Sequence, residues 1–337
     1  MRGSNMKVTA VGILVADIIA AELPKVASPG EVIFAPRGIK TRIGGHPANV
    51  SIDLVKLGLR GDDIAVIGAV GDDTYGRFIE ETLAGYGIKT FLYKVSDVGT
   101  SKNLILVVKG EDRRFHVDVG ANVKLDPIFV EEKISKLESD ILYIGATGWL
   151  GNVDLKLPYF LKDAKERGQL TFVDIIAPYG KEWSYIIPSL AYTDIFHCNL
   201  VEASNIVGTN DLSSATKAFL DKGVKLVIIT LGEEGLYARS KKWSIRMGAF
   251  KVNVIDPTGA GDAFCAGVIY ELVRRRIEDI EDLGLDEALD ILTYASAVGA
   301  SATTKEGTTE GVERSFIDKL VEEQGDLLKK EAKTQVF

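Results

Sequence analysis

Sulfur and imidazole are scarce in this 337-residue chain, which has two cysteines, three methionines and three histidines. Cys198 and Cys265 both lie inside apolar runs, which excludes a disulfide framework and suits buried thiols in a reducing cytoplasm, the expected compartment. His46, His116 and His197 stand far apart without the spacing of a zinc site; His46 sits in a glycine-rich loop and stays open as a ligand. No apolar run approaches the roughly 20 residues that a membrane-spanning helix needs. Arg2 and Lys7, placed before the apolar stretch Val8 to Ala16, imitate a short signal peptide, but Asp17 interrupts it and a buried first strand explains the same residues. The opening Met-Arg-Gly-Ser reads as vector-derived, with Met6 as the natural start. Positive charge is thin as well. The 40 Lys and Arg are spread among 48 Asp and Glu, for a formal net charge of −8. Without a basic stripe there is no nucleic-acid footprint, and the expected partner is a small molecule. Also missing are a Gly-x4-Gly-Lys-Ser/Thr loop, a Gly-x-Gly-x-x-Gly after the first strand, and the catalytic-loop signature of protein kinases.

What is present is an alternation of strand-like and helix-like runs. Val8–Val15 reads as a strand before a helix over Ala48–Leu57, Ile64–Val70 before Tyr75–Ala84, and Ile141–Gly145 before Leu155–Arg167. The pattern continues through Leu170–Ile175, Asp194–Cys198, a helix near Leu212–Lys222, and Lys225–Thr230. Strands such as Leu226-Val-Ile-Ile-Thr230 are apolar on both faces, which predicts a mostly parallel central sheet covered by helices, an α/β fold. One domain over 1–337 accommodates the whole pattern. Two regions break the rhythm. In one, Pro24, Pro29, Pro36 and several glycines surround a short Val32-Ile33-Phe34 strand. In the other, Leu104–Val108 meets Arg114–Val119 across Lys109-Gly-Glu-Asp112, a hairpin signal. Together they predict a small antiparallel β lid, formed by about 13–44 and 91–119. Such a sheet serves as a flap over a cleft or as a homodimer contact, and the two readings are compatible.

The stretch Ile255-Asp-Pro-Thr-Gly-Ala-Gly-Asp-Ala-Phe264 reads as strand, tight turn and helix. A helix N-terminus offers unpartnered N–H groups and partial positive charge, and Gly259, Ala260 and Gly261 let an anion approach that backbone. Asp262 then stands in the first helical turn, placed to take a proton from a hydroxyl beside the same anion. A plain capped helix accounts for the same residues, and this stretch alone leaves both readings standing.

Further motifs, in order along the chain, are "VADII" with Asp17, "GGHPANVSIDLVKLG", "GAVGDDTYG", "CNLVEA" with Asn199 and Glu202, "TLGEEG" from Thr230 to Gly235, and "DPTGAGDAF". Taken together, the chain resembles the ribokinase-like (PfkB) carbohydrate kinase family over essentially its full length. The resemblance implies the ribokinase-like α/β fold and phosphoryl transfer from ATP to a hydroxyl of a small polyol. By the same resemblance, Asp262 is the base, Gly259, Ala260 and Gly261 form the anion hole, and Asn199 and Glu202 steer Mg2+ through water. Thr230, Gly232 and Gly235 contact the nucleotide, while Asp17, Gly44, Gly45 and Asn49 bind the acceptor. Asp256 and Thr258, with carbonyls from the loop Thr303–Gly307, match a K+ site.

Departures from the family's branches narrow the acceptor. Ribose-phosphorylating members carry Asn two residues before the first-strand Asp, where this chain has Val15, and a gripping Glu where "YIGATGW" offers none. An Asp-x-Asn-x-Arg segment found in other branches is replaced by Asp174-Ile-Ile-Ala-Pro178. Acid-sugar kinases place a basic residue on the returning lid strand, a position assigned here to Asp118. Asp118 beside Asp17 would repel an anion and accept hydrogen bonds from a neutral ligand. The expected acceptor is therefore a neutral sugar, a cyclitol, or a nucleoside held through its ribose. Phe34 or Phe115 would stack on a base in the nucleoside case. A non-catalytic sugar-binding regulatory homologue is the alternative from another class.

Overall fold

The computed structural model describes residues 6–111 and 113–337; Met1–Ser4, with Arg2, and the hairpin residue Asp112 lie outside them. The elements run β1 (Val8–Gly12), β2 (Val15–Leu23), β3 (Ile39–Gly44), α1 (His46–Leu57), β4 (Ile64–Gly71), α2 (Thr74–Gly85), β5 (Lys89–Val95), β6 (Lys102–Val108) and β7 (Arg114–Asp118). They continue with α3 (Pro127–Lys136), β8 (Ile141–Thr147), α4 (Asn152–Glu166), β9 (Leu170–Ile175), α5 (Ile187–Leu190), β10 (Ile195–Asn199), α6 (Leu200–Val207), α7 (Leu212–Leu220) and β11 (Leu226–Thr230). The last are β12 (Leu236–Ser240), β13 (Trp243–Met247), α8 (Ala260–Arg275), α9 (Leu285–Ala302), α10 (Arg314–Leu320), α11 (Asp326–Glu331) and β14 (Lys333–Val336).

Strands β5-β4-β1-β8-β9-β10-β11 pair in parallel, and β12, β13 and β14 extend the same ten-stranded sheet antiparallel. Successive side chains on each strand enter opposite cores, which is why these strands lack polar alternation. Val8 and Ala10 of β1 join Val66 and Tyr143 in the core beneath α1, α8 and α9. Val11 joins Ile67, Leu142 and Ile144 in the core beneath α4 and α7. Strand order runs one way from β1 to β4 and β5 and the other way through β8, so a crevice opens at the carboxyl ends around β1, where ligands collect in such sheets.

The first predicted strand breaks in two. A side chain at Gly12 would place its Cβ 2.0 Å from the Gly145 carbonyl oxygen, so β1 presses on β8 there, and the chain leaves the sheet and restarts as β2. Strands β3-β2-β6-β7 form the small sheet, whose outer pairs are antiparallel and whose central pair, β2 with β6, is parallel. Of the segment expected from residue 91, β5 belongs to the central sheet, and the lid takes it up again at β6. Val32-Ile33-Phe34 forms no strand: it lies in the β2–β3 connection, with Val32 78% and Phe34 84% exposed.

Lid and body are tied through β3 and the loop after α9. Lys40 pairs with Glu306 at 3.0 Å, Arg42 with Glu310 at 2.9 Å, and the Thr308 hydroxyl donates to the Ile43 carbonyl at 3.0 Å.

The second core depends on aromatic contact between Phe196 and Phe219, with ring centroids 4.8 Å apart and neither side chain exposed. Phe219→Ala is expected to lower unfolding free energy by about 3–5 kcal/mol, read from the denaturant midpoint. A loss below about 1 kcal/mol would mean that α7 does not seal this core.

Candidate active site

Helix α8 begins where the glycine turn ends. Gly259 holds φ at +79°, and a Cβ there would lie 2.3 Å from the Thr308 carbonyl oxygen, so only glycine lets the turn close on that loop. The expected preceding strand does not form. Val254 and Ile255 are 56% and 57% exposed, and the Ile255 and Asp256 amides instead donate to the Thr303 carbonyl at 2.8 and 3.1 Å. The turn is thus pinned by the post-α9 loop, leaving Gly259, Ala260 and Gly261 at the helix's positive end.

Asp262, in the first turn of α8, is buried. Its Oδ2 accepts from Asn49 Nδ2 at 2.8 Å, while its Oδ1 is buried with no hydrogen-bond partner among the described residues. Burial pushes this carboxyl above the usual range, with the neighbouring Asp174 charge adding to the effect and His46 and Asn49 opposing it. Asn49 is carried on α1, whose start is set by Gly45: its φ is +93°, and a Cβ there would lie 2.1 Å from the Ile13 carbonyl oxygen.

The lid supplies the facing wall. Ladder register puts Arg42, Asp17, Asn103 and Val117 in one row across β3, β2, β6 and β7, hence on one face. Asn103 Nδ2 donates to Asp17 Oδ1 at 2.8 Å, and a Cβ on Gly44 would come within 2.3 Å of Asp17 Oδ2. Gly44 is therefore the close-approach position beside this carboxylate. Burial, together with the Asp262, Asp256 and Glu310 charges, raises Asp17 from 3.8 to about 7 against the pull of the Asn103 amide. Two more amide oxygens, Asn49 Oδ1 and Asn103 Oδ1, are buried without partners. Buried polar atoms are normally satisfied. Here unsatisfied ones occur on both walls, at Asn103 on the lid and at Asn49 and Asp262 on the body.

Asp118 corrects the sequence reading. It is opposite Lys102, one residue out of the Asp17 row, and so faces the other way. Its carboxylate pairs with Lys102 at 3.0 Å, accepts from the Gly120 amide at 3.0 Å, and is 57% exposed. Its hydrogen bond to the Gly120 amide closes its own turn.

Behind Asp262 is a polar array that sequence reasoning missed. Asp174, at the end of β9, takes His46 Nδ1 on Oδ2 at 3.0 Å and His197 Nδ1 on Oδ1 at 2.9 Å, and Tyr143 OH on Oδ2 at 3.1 Å. Burial raises this carboxyl, but the two imidazoles outweigh it and hold Asp174 well below the usual carboxylate range. Only His46 stands out in sequence, because it interrupts a glycine loop; the other members come from strands far apart along the chain.

On the other side of the crevice, Asn199 and Thr230 are ladder partners at the carboxyl ends of β10 and β11. Asn199 and Glu202 form a reciprocal capping box, the Asn199 amide donating to Glu202 Oε2 at 2.8 Å and the Glu202 amide to Asn199 Oδ1 at 2.9 Å. Burial pushes the Glu202 carboxyl up. Gly232 and Gly235 flank the turn after β11, and His197 Nε2 lies 3.3 Å from the Thr230 hydroxyl, linking this side to the Asp174 array.

The Asp256 carboxylate is already surrounded by donors. Oδ1 accepts from the Thr258 amide at 2.9 Å and the Thr258 hydroxyl at 2.5 Å, and Oδ2 from the Gly307 amide at 3.1 Å. Arg113, from the lid hairpin, donates to the Thr258 hydroxyl and lies 3.5 Å from Asp256 Oδ1. These donors take up much of the carboxylate's acceptor capacity, and the guanidinium brings positive charge to the turn. In sequence, Arg113 is hidden within a turn signal.

The family model for pfkB family carbohydrate kinases matches residues 5–314. The chain is 28% identical to ribokinase of Haemophilus influenzae over 311 residues, covering 90% of this chain and 94% of that protein. Among solved structures, ribokinase from Giardia lamblia superposes with a TM-score of 0.81 at 23% identity, covering 95% of this chain and 99% of that one. Ribokinase of Arabidopsis thaliana, complexed with ribose and ATP, gives a TM-score of 0.77 at 22% identity over 94% of this chain and 99% of its own.

Asp17 offers a test without knowledge of the ligand. Between its ordinary 3.8 and about 7 the folded chain holds a proton that the unfolded chain has released, so stability falls as pH rises through that window. Asp17→Asn removes that loss. Its Tm is expected above wild type at pH 8, with the gap narrowing toward pH 5. A constant gap across this range would show that Asp17 is not held up by its surroundings.

Proposed function

Since the chain belongs to the pfkB family of carbohydrate kinases and is a phosphotransferase with a hydroxyl acceptor, we propose that it transfers the γ-phosphoryl group of ATP to a hydroxyl of a small neutral sugar or polyol. The observation that carries the reading is the group of buried, unpartnered oxygens, Asn49 Oδ1, Asn103 Oδ1 and Asp262 Oδ1, beside Asp17. A hydroxyl-rich ligand satisfies such a set, whereas an anion would meet Asp17 and Asp262.

In this reading Asp17 and the Asn103 amide grip acceptor hydroxyls, and Gly44 and Gly45 let the ring approach the backbone. Asp262 Oδ1 takes the proton of the attacking hydroxyl as its oxygen bonds to the γ-phosphorus, and the bridging oxygen leaves with ADP. The Gly259, Ala260 and Gly261 amides stabilise charge on the transferring group. Thr230, Gly232 and Gly235 hold the nucleotide. Asn199 and Glu202 offer oxygen donors that suit Mg2+ held through water, and the ion when bound supplies charge neutralisation on the phosphates. Arg113 ties the lid to the signature turn, so that lid closure and completion of the anion site occur together. A K+ held by Asp256, Thr258 and carbonyls of the loop Thr303–Gly307 would add positive charge beside the same anion site.

A nucleoside acceptor is the second reading, favoured by Phe115. This side chain lies on the same lid face as Asp17, is 48% exposed, and has the Arg113 guanidinium 5.4 Å from its ring centroid. Phe34, in the β2–β3 connection, has no such place.

The opposite face of the lid carries Ile39 at 68% and Leu104 at 42% exposure, an apolar surface suited to the same face of a second copy. Leu104→Glu is expected to shift a dimer to monomer in sedimentation experiments. A wild type already monomeric at micromolar concentration would remove this proposal.

Turnover with Mg-ATP should be measured over neutral sugars, cyclitols and nucleosides. Asp262→Asn is expected to lower kcat by about 100-fold or more on the accepted substrate. At pH 8, where Asp17 is ionised, Asp17→Asn should raise acceptor KM by about tenfold or more, as expected for loss of a charged hydrogen-bond acceptor. Turnover confined to phosphorylated or carboxylated sugars would overturn the neutral-acceptor assignment, and unchanged kcat in Asp262→Asn would overturn the base.

A further inference from the structure

The Asp174 array has no part in the phosphoryl transfer just described, yet it ends beside the base. His46 Nδ1, hydrogen-bonded to Asp174 Oδ2 at 3.0 Å, also lies 3.3 Å from Asp262 Oδ1. An ionised carboxylate only accepts, so Nδ1 carries the hydrogen and directs it at Asp174. Asp262 Oδ1 therefore sits at ion-pair distance from an imidazole without receiving a hydrogen bond from it. Asp174 cannot turn away, since His197 from β10 and Tyr143 from β8 hold its two oxygens and Cys265 Sγ stands 3.8 Å off.

A buried base has two opposing needs. It must be ionised despite desolvation, and the oxygen that will take the proton must not already be engaged by a donor. A cation whose N–H is committed to another carboxylate meets both. We propose that His46 is a positioning residue for phosphoryl transfer: anchored by Asp174, its imidazolium keeps Asp262 charged while leaving Oδ1 bare for the acceptor hydroxyl. The inference deepens the assignment of Asp262 as the base and rests on it.

Other groups around the pair act in known directions. Asp174, and Asp17 where it is ionised, oppose ionisation of Asp262, Asn49 and His197 favour it, and burial pushes Asp53 up toward its neutral form. Glu202 adds to the pull on His46, while Tyr143 and Cys265 are held neutral by burial. Burial lowers the His46 imidazole, and Asp262 and Asp174 more than reverse this, raising it to about 9. It is thus charged across neutral pH.

The test compares His46→Gln, His46→Lys and Asp262→Asn in the full chain. Removing the counter-charge leaves Asp262 harder to ionise, so the acid limb of the kcat profile in His46→Gln is expected to move up by about one pH unit or more. At pH 6.5, kcat should fall by about tenfold or more, with acceptor KM and nucleotide affinity changed less than about threefold. Retained nucleotide affinity, measured by calorimetry, also reports that the variant is folded. His46→Lys, which restores a positive charge, should move the limb part of the way back. An unshifted acid limb in folded His46→Gln would overturn the proposal, as would equal shifts in the Gln and Lys variants. Asp262→Asn separates the two levels. If its kcat is near wild type, the base assignment itself has failed; if its kcat collapses while the His46→Gln profile is unmoved, only the role of His46 has. Should His46→Gln not fold, the same limb measured in His46→Asn decides, an unshifted limb there being the contrary result.

Discussion

The proposed chemistry depends on a carboxylate buried at the positive end of a helix. Asp262 lies in the first turn of α8, where the macrodipole favours negative charge, but it is shut from water and close to a second acid, Asp174. Left to itself, such a group protonates and ceases to be a base. Much of the surrounding architecture acts on this one equilibrium. Asn49 donates from α1, His46 stands beside Oδ1, and the glycine turn keeps the helix end free of side chains.

Charge is arranged around the crevice in opposed layers. Asp17, Asp262 and Asp174 line or underlie the acceptor side, and each is met by its own donor or cation. Asp17 has an amide, Asp262 an amide and an imidazole, and Asp174 two imidazoles. The lid brings its own cations to the rim, where Lys40, Arg42 and Arg113 engage Glu306, Glu310, Asp256 and Thr258. Each of these contacts joins a lid strand or hairpin to the loops that pin the anion site. Opening the lid would break several of them together, so closure and assembly of the site are mechanically one event. The lid's two faces differ, one carrying Asp17 and Asn103 and the other Ile39 and Leu104 with their apolar side chains exposed.

The residues that local backbone chemistry demands were legible from sequence. Gly259 and Gly45 are fixed by positive φ and by carbonyls within 2.3 Å of a would-be Cβ, and such positions leave glycines in recognisable motifs. The parallel sheet announced itself through strands apolar on both faces, because both faces are cores. Asn49 and Asp262, singled out from separate motifs, are hydrogen-bonded to each other.

Contacts made across long stretches of sequence were not legible. Asp118 departs from its expected place because strand alternation gives a side chain two possible faces, and only the register with Lys102 selected the outward one. Val32–Phe34 has strand-forming residues but no neighbouring strand to pair with. Asp174, Tyr143, His197 and Arg113 sit on four separate segments, and nothing local to any of them marks a shared purpose. The chain's order of residues thus determined which backbone positions are left open at the start of α8 and which acid stands beside them, since those are matters of steric freedom over a few residues. The charge state in which that acid works was decided by the tertiary fold alone, because burial and opposing charge exist only once distant strands have been packed together.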